Sequence, residues 1–109
     1  FLKENFSPYY DLATMVFVLE HVKDPLLLLQ KAISSIKEDG HIYIEVPDSL
    51  SFKYKTKDDD VFNSCHLTLY SLKTIENLLY LSNLEIVDCD QYTTLRNYMS
   101  IRVLAKLKN

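Results

Sequence analysis

The chain has 109 residues, 48% hydrophobic and 25% charged, with a net charge of −3 at neutral pH and an isoelectric point near 5.5. That balance excludes a disordered chain, and the length allows one small domain or a piece of a larger one. No basic stripe is present to neutralise phosphates, which argues against a nucleic-acid partner, and no apolar run reaches the ~18–20 residues that cross a bilayer.

Cys65 and Cys89 stand apart, with no Cys-x-x-Cys or Cys/His ligand spacing, so the chain reads as a reduced, cytoplasmic protein with no zinc site or disulfide framework. The opening FLKENFSPYYD has no signal-peptide pattern, and a first residue of Phe1 leaves an excised fragment open.

Residues 10–19, YDLATMVFVL, are apolar almost throughout after Asp11, which predicts a strand buried on both faces, of the kind found inside parallel sheets. The run ends in Glu20 and His21. Asp24-Pro25 then supplies an N-cap and a first-turn proline, so a helix begins here. Its core face is Leu26, Leu29, Ile33 and Ile36, widened by Leu28 and Ala32, and Gly40, the only glycine, is expected to end it in a left-handed conformation. HIYIEVPD follows as a second strand closed by Pro47. Strand, helix and strand at this spacing form a βαβ unit with parallel strands.

Residues 49–65 are polar with little period and read as a loop or lid. The run Asp58-Asp59-Asp60 inside it has neither the alternate spacing nor the glycine of a calcium loop and reads as a solvated tip. Ser71 caps a further helix with Leu72, Ile75, Leu78, Leu79 and Ser82 inward, ending near Asn83. LEIVDCD alternates loosely as a strand. Met99 to Leu107 alternates cleanly except at Leu104, and this last strand is expected to pair antiparallel with its predecessor or a neighbour.

Ligands of open parallel sheets bind beyond the carboxyl ends of the strands, so Glu20, His21, Pro47 and Asp48 share the rim where a site belongs. A structural role competes at each position: an acid complements the helix dipole, and a histidine bonds backbone in the turn.

Residues 9–48, with the run LEHVKDP and the strand ending EVP, resemble the later strands of class I S-adenosylmethionine-dependent methyltransferases, and residues 66–88, HLTLYSLKTIENLLYLSNLEIVD, are similar to that family's segment leading to its sixth strand. The resemblance implies an α/β fold: the C-terminal half of a Rossmann-like seven-stranded methyltransferase sheet, strands four to seven, with the last antiparallel between the fifth and sixth. It implies that residues 1–109 are a partial domain whose glycine-rich cofactor loop and ribose-holding acid lie upstream, so that the chain alone does not catalyse. The strand at 10–19 would then need a neighbour at its outer edge, from upstream residues or from a second copy.

By the same resemblance, Val16, Phe17 and Leu19 line S-adenosylmethionine, with plain core as their alternative role. His21 and His66, with Glu20, are the candidates for catalysis, and His41 sits at the wrong end of its strand. Some ubiquinone-pathway methyltransferases carry a metal motif E-x-x-E-H here, but Phe17 replaces its first acid, so no metal is expected. A looser similarity of HLTLYS and DQYTTLRNYMS to sugar-modifying methyltransferases implies a small-molecule acceptor, in particular a sugar or sugar nucleotide. The rival expectation is a non-catalytic α/β module that associates through the edge strand at 10–19.

Overall fold

The computed structural model describes residues 10–50, 69–93 and 99–108. The elements run β1 (Tyr10–Val16), a single 3₁₀ turn (Leu19–His21), α1 (Pro25–Ser35), β2 (Ile36–Pro47), α2 (Leu72–Leu81), β3 (Leu84–Thr93) and β4 (Met99–Leu107). The four strands form one sheet in the order β1-β2-β4-β3. β1 and β2 are parallel, and β4 lies antiparallel between β2 and β3. This is the strand arrangement that the methyltransferase resemblance implies.

Both helices pack on one face of the sheet. Ile42, Ile44 and Val46 of β2 and Ile101, Val103 and Ala105 of β4 join Leu28, Leu29 and Ala32 of α1 and Ile75 and Leu79 of α2 in one buried cluster. The alternate strand residues turn to the other face, where the surface is polar. There Glu45 accepts hydrogen bonds from the hydroxyls of Tyr43 and Tyr92 (2.6 Å). Arg102 forks onto Asp90 at 2.8 and 2.7 Å and stacks 4.3 Å above the Tyr92 ring.

β1 departs from the expectation of a strand buried on both faces. It stops at Val16, and only Met15 is buried, while Tyr10, Leu12 and Val16 are exposed. It is an edge strand with α1 over one side, so its other face has no packed neighbour among the described residues.

The end of α1 is a second correction. The helix stops at Ser35, and Ile36, placed on the helical core face by the sequence pattern, is already extended (φ −98°, ψ 153°) and opens β2. The hydroxyls of Ser34 and Ser35 turn back onto the carbonyls of Lys31 and Ala32, a local bonding habit that weakens a final helical turn. Gly40 has no positive φ. It lies within β2 at a large bulge, where Tyr10 pairs with Ile36 but Leu12 already pairs with His41. A Cβ at Gly40 would stand 3.0 Å from the Ile36 Cβ, 3.0 Å from the Lys37 carbonyl oxygen and 3.1 Å from that of Asp11. Close approach, and not handedness, requires glycine here.

α2 begins as expected, with a reciprocal capping box between Ser71 and Thr74. Asn83, just past its end, takes the left-handed conformation (φ 61°). β3 runs on to Thr93, further than the motif LEIVDCD suggests. Its loose alternation has a cause: a bulge between Ile86 and Asp88 throws Val87 outward.

Candidate functional site at the strand ends

The chain leaves β1 through Phe17, whose N–H still donates to the Glu45 carbonyl (2.9 Å) but whose φ of +57° is left-handed. That conformation is costly for a residue with a side chain, and such strain gathers where a site or a tight turn demands it. The consequence is geometric: Val16, Phe17 and Val18 stay 47%, 39% and 39% exposed, while the 3₁₀ turn carries Leu19 and Glu20 inward. Leu19 is fully buried in the core. Val22 donates to the Leu19 carbonyl at 3.4 Å, and the Asp24 carboxylate accepts from the Leu27 N–H at 3.1 Å to start α1.

Glu20 is 1% exposed. Burial pushes its carboxyl above the ordinary range, against the lowering pull of a backbone hydrogen bond and of His21. One carboxyl oxygen, Oε2, stands 3.6 Å from His21 Nε2, while the imidazole itself remains well exposed. The other, Oε1, has no partner among the described residues. A buried acid that favours its proton beside an exposed imidazole is a pair able to hold and pass a proton.

At the end of β2, Asp48 is fully buried. Its carboxylate accepts from the Leu50 N–H (3.0 Å) and from Gln91 Nε2 (2.6 Å), and its own N–H donates to the Met99 carbonyl (2.9 Å). Every group of Asp48 that is accounted for serves structure. Tyr70 is bridged to Asp48 in parallel fashion, and its carbonyl accepts from the Ser49 N–H at 2.7 Å.

Tyr70 is the residue that the sequence reading missed. Its hydroxyl is buried without a partner among the described residues, and burial, then the Glu20 carboxylate, raises its ionisation above the ordinary phenol range. A signal was available: Tyr70 precedes the Ser71 cap and Ile75 follows four residues after it, the two positions of a hydrophobic staple, and both belong to the core cluster.

The structure thus brings Glu20, His21 and Tyr70 together at the strand ends and places Val16 and Phe17 on the adjoining surface. His66, and residues 51–65 of the expected lid, lie outside the described residues. Among the described residues no cluster of three His, Cys, Asp or Glu side chains is arranged to hold a metal ion.

A sheet ordered in this way, with a rim at the ends of its parallel strands, defines a Rossmann-like α/β architecture. The chain belongs to a methyltransferase-domain family, which matches residues 3–88. No curated protein matches it. Among solved structures it is similar to the Burkholderia thailandensis 1,6-didemethyltoxoflavin-N1-methyltransferase with bound 1,6-didemethyltoxoflavin and S-adenosylhomocysteine, at 13% identity and a TM-score of 0.78, covering 99% of this chain and 48% of that one. An S-adenosylmethionine-dependent methyltransferase from Clostridium acetobutylicum aligns at 15% identity and a TM-score of 0.71, covering 99% and 62%. The [4+2]-cyclase SpnF aligns at 9% identity and a TM-score of 0.72, covering 95% and 52%. The chain therefore spans about half the length of such proteins, and likenesses this remote in sequence establish the fold alone.

Proposed function

We propose that the whole protein of which these residues form part transfers a methyl group from S-adenosylmethionine to a small-molecule acceptor, a sugar or sugar nucleotide, in the cytoplasm. The observation that carries this reading is the apolar step of Val16, Phe17 and Val18, held open at the end of β1 by the left-handed Phe17. A flat apolar wall of this kind fits the adenosyl part of the cofactor. Val16 and Phe17 meet the cofactor, and Leu19, buried beneath them, holds the turn that presents them.

The cofactor supplies an electrophilic methyl on a sulfonium when bound. This chain supplies the groups beside it. His21, whose imidazole is exposed, takes a proton from the acceptor as general base, and Glu20, 3.6 Å from its Nε2, orients the ring. His66 is the alternative base. No metal enters this scheme. The 109 residues by themselves are inactive, because Gly40, their one glycine, is packed within β2 and forms no cofactor-cradling loop.

A second reading rests on β1 itself. Its edge position and the exposed Tyr10 and Leu12 suit strand pairing with a second copy in a non-catalytic module. Calorimetric titration of S-adenosylmethionine into the full-length gene product separates the two. Saturable binding at about one site per chain is expected of a single-site enzyme. A folded full-length protein that binds none would overturn the cofactor assignment and leave the edge-pairing module.

A further inference from the structure

Asp48 stands at the end of β2 with no exposed surface, and a buried carboxylate is costly unless its oxygens are paired. Both are: Oδ1 accepts from the Leu50 N–H at 3.0 Å and Oδ2 from Gln91 Nε2 at 2.6 Å. An asparagine carbonyl would serve the Leu50 N–H as well, so that bond does not explain the acid. What distinguishes the carboxylate is that both of its oxygens accept.

The consequence falls on Gln91. A glutamine amide ends in a carbonyl on one side and an N–H₂ on the other, and opposite an acceptor only the N–H₂ end fits. Gln91 lies near the carboxyl end of β3, level with Ile101 of β4. β2 and β3 both run antiparallel to β4, so the carboxyl end of β3 belongs to the same rim as that of β2. Gln91 is itself exposed, while the group that orients it is buried. A polar contact for a ligand is fixed in this way, by a supporting hydrogen bond from behind.

From this arrangement we propose that Gln91 presents its carbonyl oxygen, Oε1, at the rim as a hydrogen-bond acceptor of fixed direction, which takes an O–H or N–H of a bound small molecule. Asp48 is its positioning residue. A molecule that offers only acceptor atoms at this point leaves Oε1 unanswered and is disfavoured. That the donor belongs to the methyl acceptor rests on the methyltransferase reading; the direction of the carbonyl rests on the Asp48 contact alone.

The test uses crystals of the full-length gene product grown with S-adenosylhomocysteine and soaked in glycerol, whose hydroxyls donate and accept, or in acetone, which only accepts. A glycerol oxygen is expected within about 2.6–3.2 Å of Gln91 Oε1, with no acetone at that position. In Gln91→Leu, which changes an exposed side chain, the glycerol should be lost. In Asp48→Asn the amide is free to turn its N–H₂ outward, and acetone should then enter; unchanged discrimination in a folded Asp48→Asn protein overturns the role of Asp48. No glycerol on Oε1, or acetone seated there equally well in the wild type, overturns the inference. Glycerol retained in Gln91→Leu is an adventitious additive only and overturns it too. Crystals that hold no S-adenosylhomocysteine count against the methyltransferase reading, while the glycerol contact still decides the role of Gln91.

Discussion

Replacing Gly40 with alanine places a methyl group 3.0 Å from the Ile36 Cβ and 3.0 and 3.1 Å from the carbonyl oxygens of Lys37 and Asp11. Favourable contact between heavy atoms lies nearer ~3.5–4.0 Å, so all three neighbours must yield. Two of them are backbone, one on each of the paired strands β1 and β2, and Ile36 is itself buried. Overpacking of this kind costs ~1–3 kcal/mol. Alanine recovers ~0.5–1 kcal/mol by restricting the unfolded chain. The difference spans ~0–2.5 kcal/mol, and three simultaneous contacts at 3.0–3.1 Å place the expected net loss in its upper part, at ~1–2 kcal/mol. Urea unfolding followed by circular dichroism should show a lower midpoint with an unchanged slope. The Gly40→Asn variant separates the two possible reasons for glycine, because asparagine tolerates a left-handed backbone better than alanine but brings a larger side chain. Close approach predicts that Asn is at least as damaging as Ala. An Asn variant more stable than the Ala variant, or an Ala variant within ~0.5 kcal/mol of wild type, would refute the reasoning.

Burial raises the Glu20 carboxyl, so the fold prefers the protonated form. The stability this contributes is fully present below the ordinary carboxyl range and is lost as pH rises through the folded value. Glu20→Gln, which cannot ionise, should therefore exceed wild type in stability at neutral pH, with the gap closing on acidification; a gap that ignores pH would count against a buried ionised acid. The Tyr43 hydroxyl, pushed up to about 12 by burial and by its hydrogen bond to Glu45, should appear in an ultraviolet titration as a late-ionising phenol that Tyr43→Phe removes. Its contribution to stability holds below pH 10 and is lost as pH rises toward 12. Ser71→Ala removes the half of the capping box in which the Ser71 hydroxyl accepts from the Thr74 N–H, leaving the backbone N–H of residue 71 to Thr74 Oγ1, and should cost ~1 kcal/mol in urea unfolding, with Ser71→Asp retaining most of the stability because aspartate also caps; equal loss in both variants would show that the cap is not the source.

Much of the fold was legible in the sequence because the signals were local. Asp24-Pro25 and Ser71 start helices through hydrogen bonds within their own first turns, and the alternation from Met99 to Leu107 reports a strand with one buried face. Gly40 was misread for the same reason. A lone glycine after a helical pattern looks like a helix terminus, whereas the contact that demands it reaches across to Asp11 on another strand. For the site, strand topology was enough to put Glu20, His21 and Asp48 on one rim. It could not say that Glu20 turns inward while His21 stays exposed, since a single 3₁₀ turn decides this.

The sequence by itself determined the elements, their order and the likeness to methyltransferases, because periodicity, caps and motif spacing are properties of neighbouring residues. Only the tertiary structure decided that β1 leaves Tyr10, Leu12 and Val16 exposed, that Asp48 is consumed by Leu50 and Gln91, and that Tyr70 is buried at the rim. Burial and pairing between residues far apart in the chain arise when the sheet closes, and no local pattern records them.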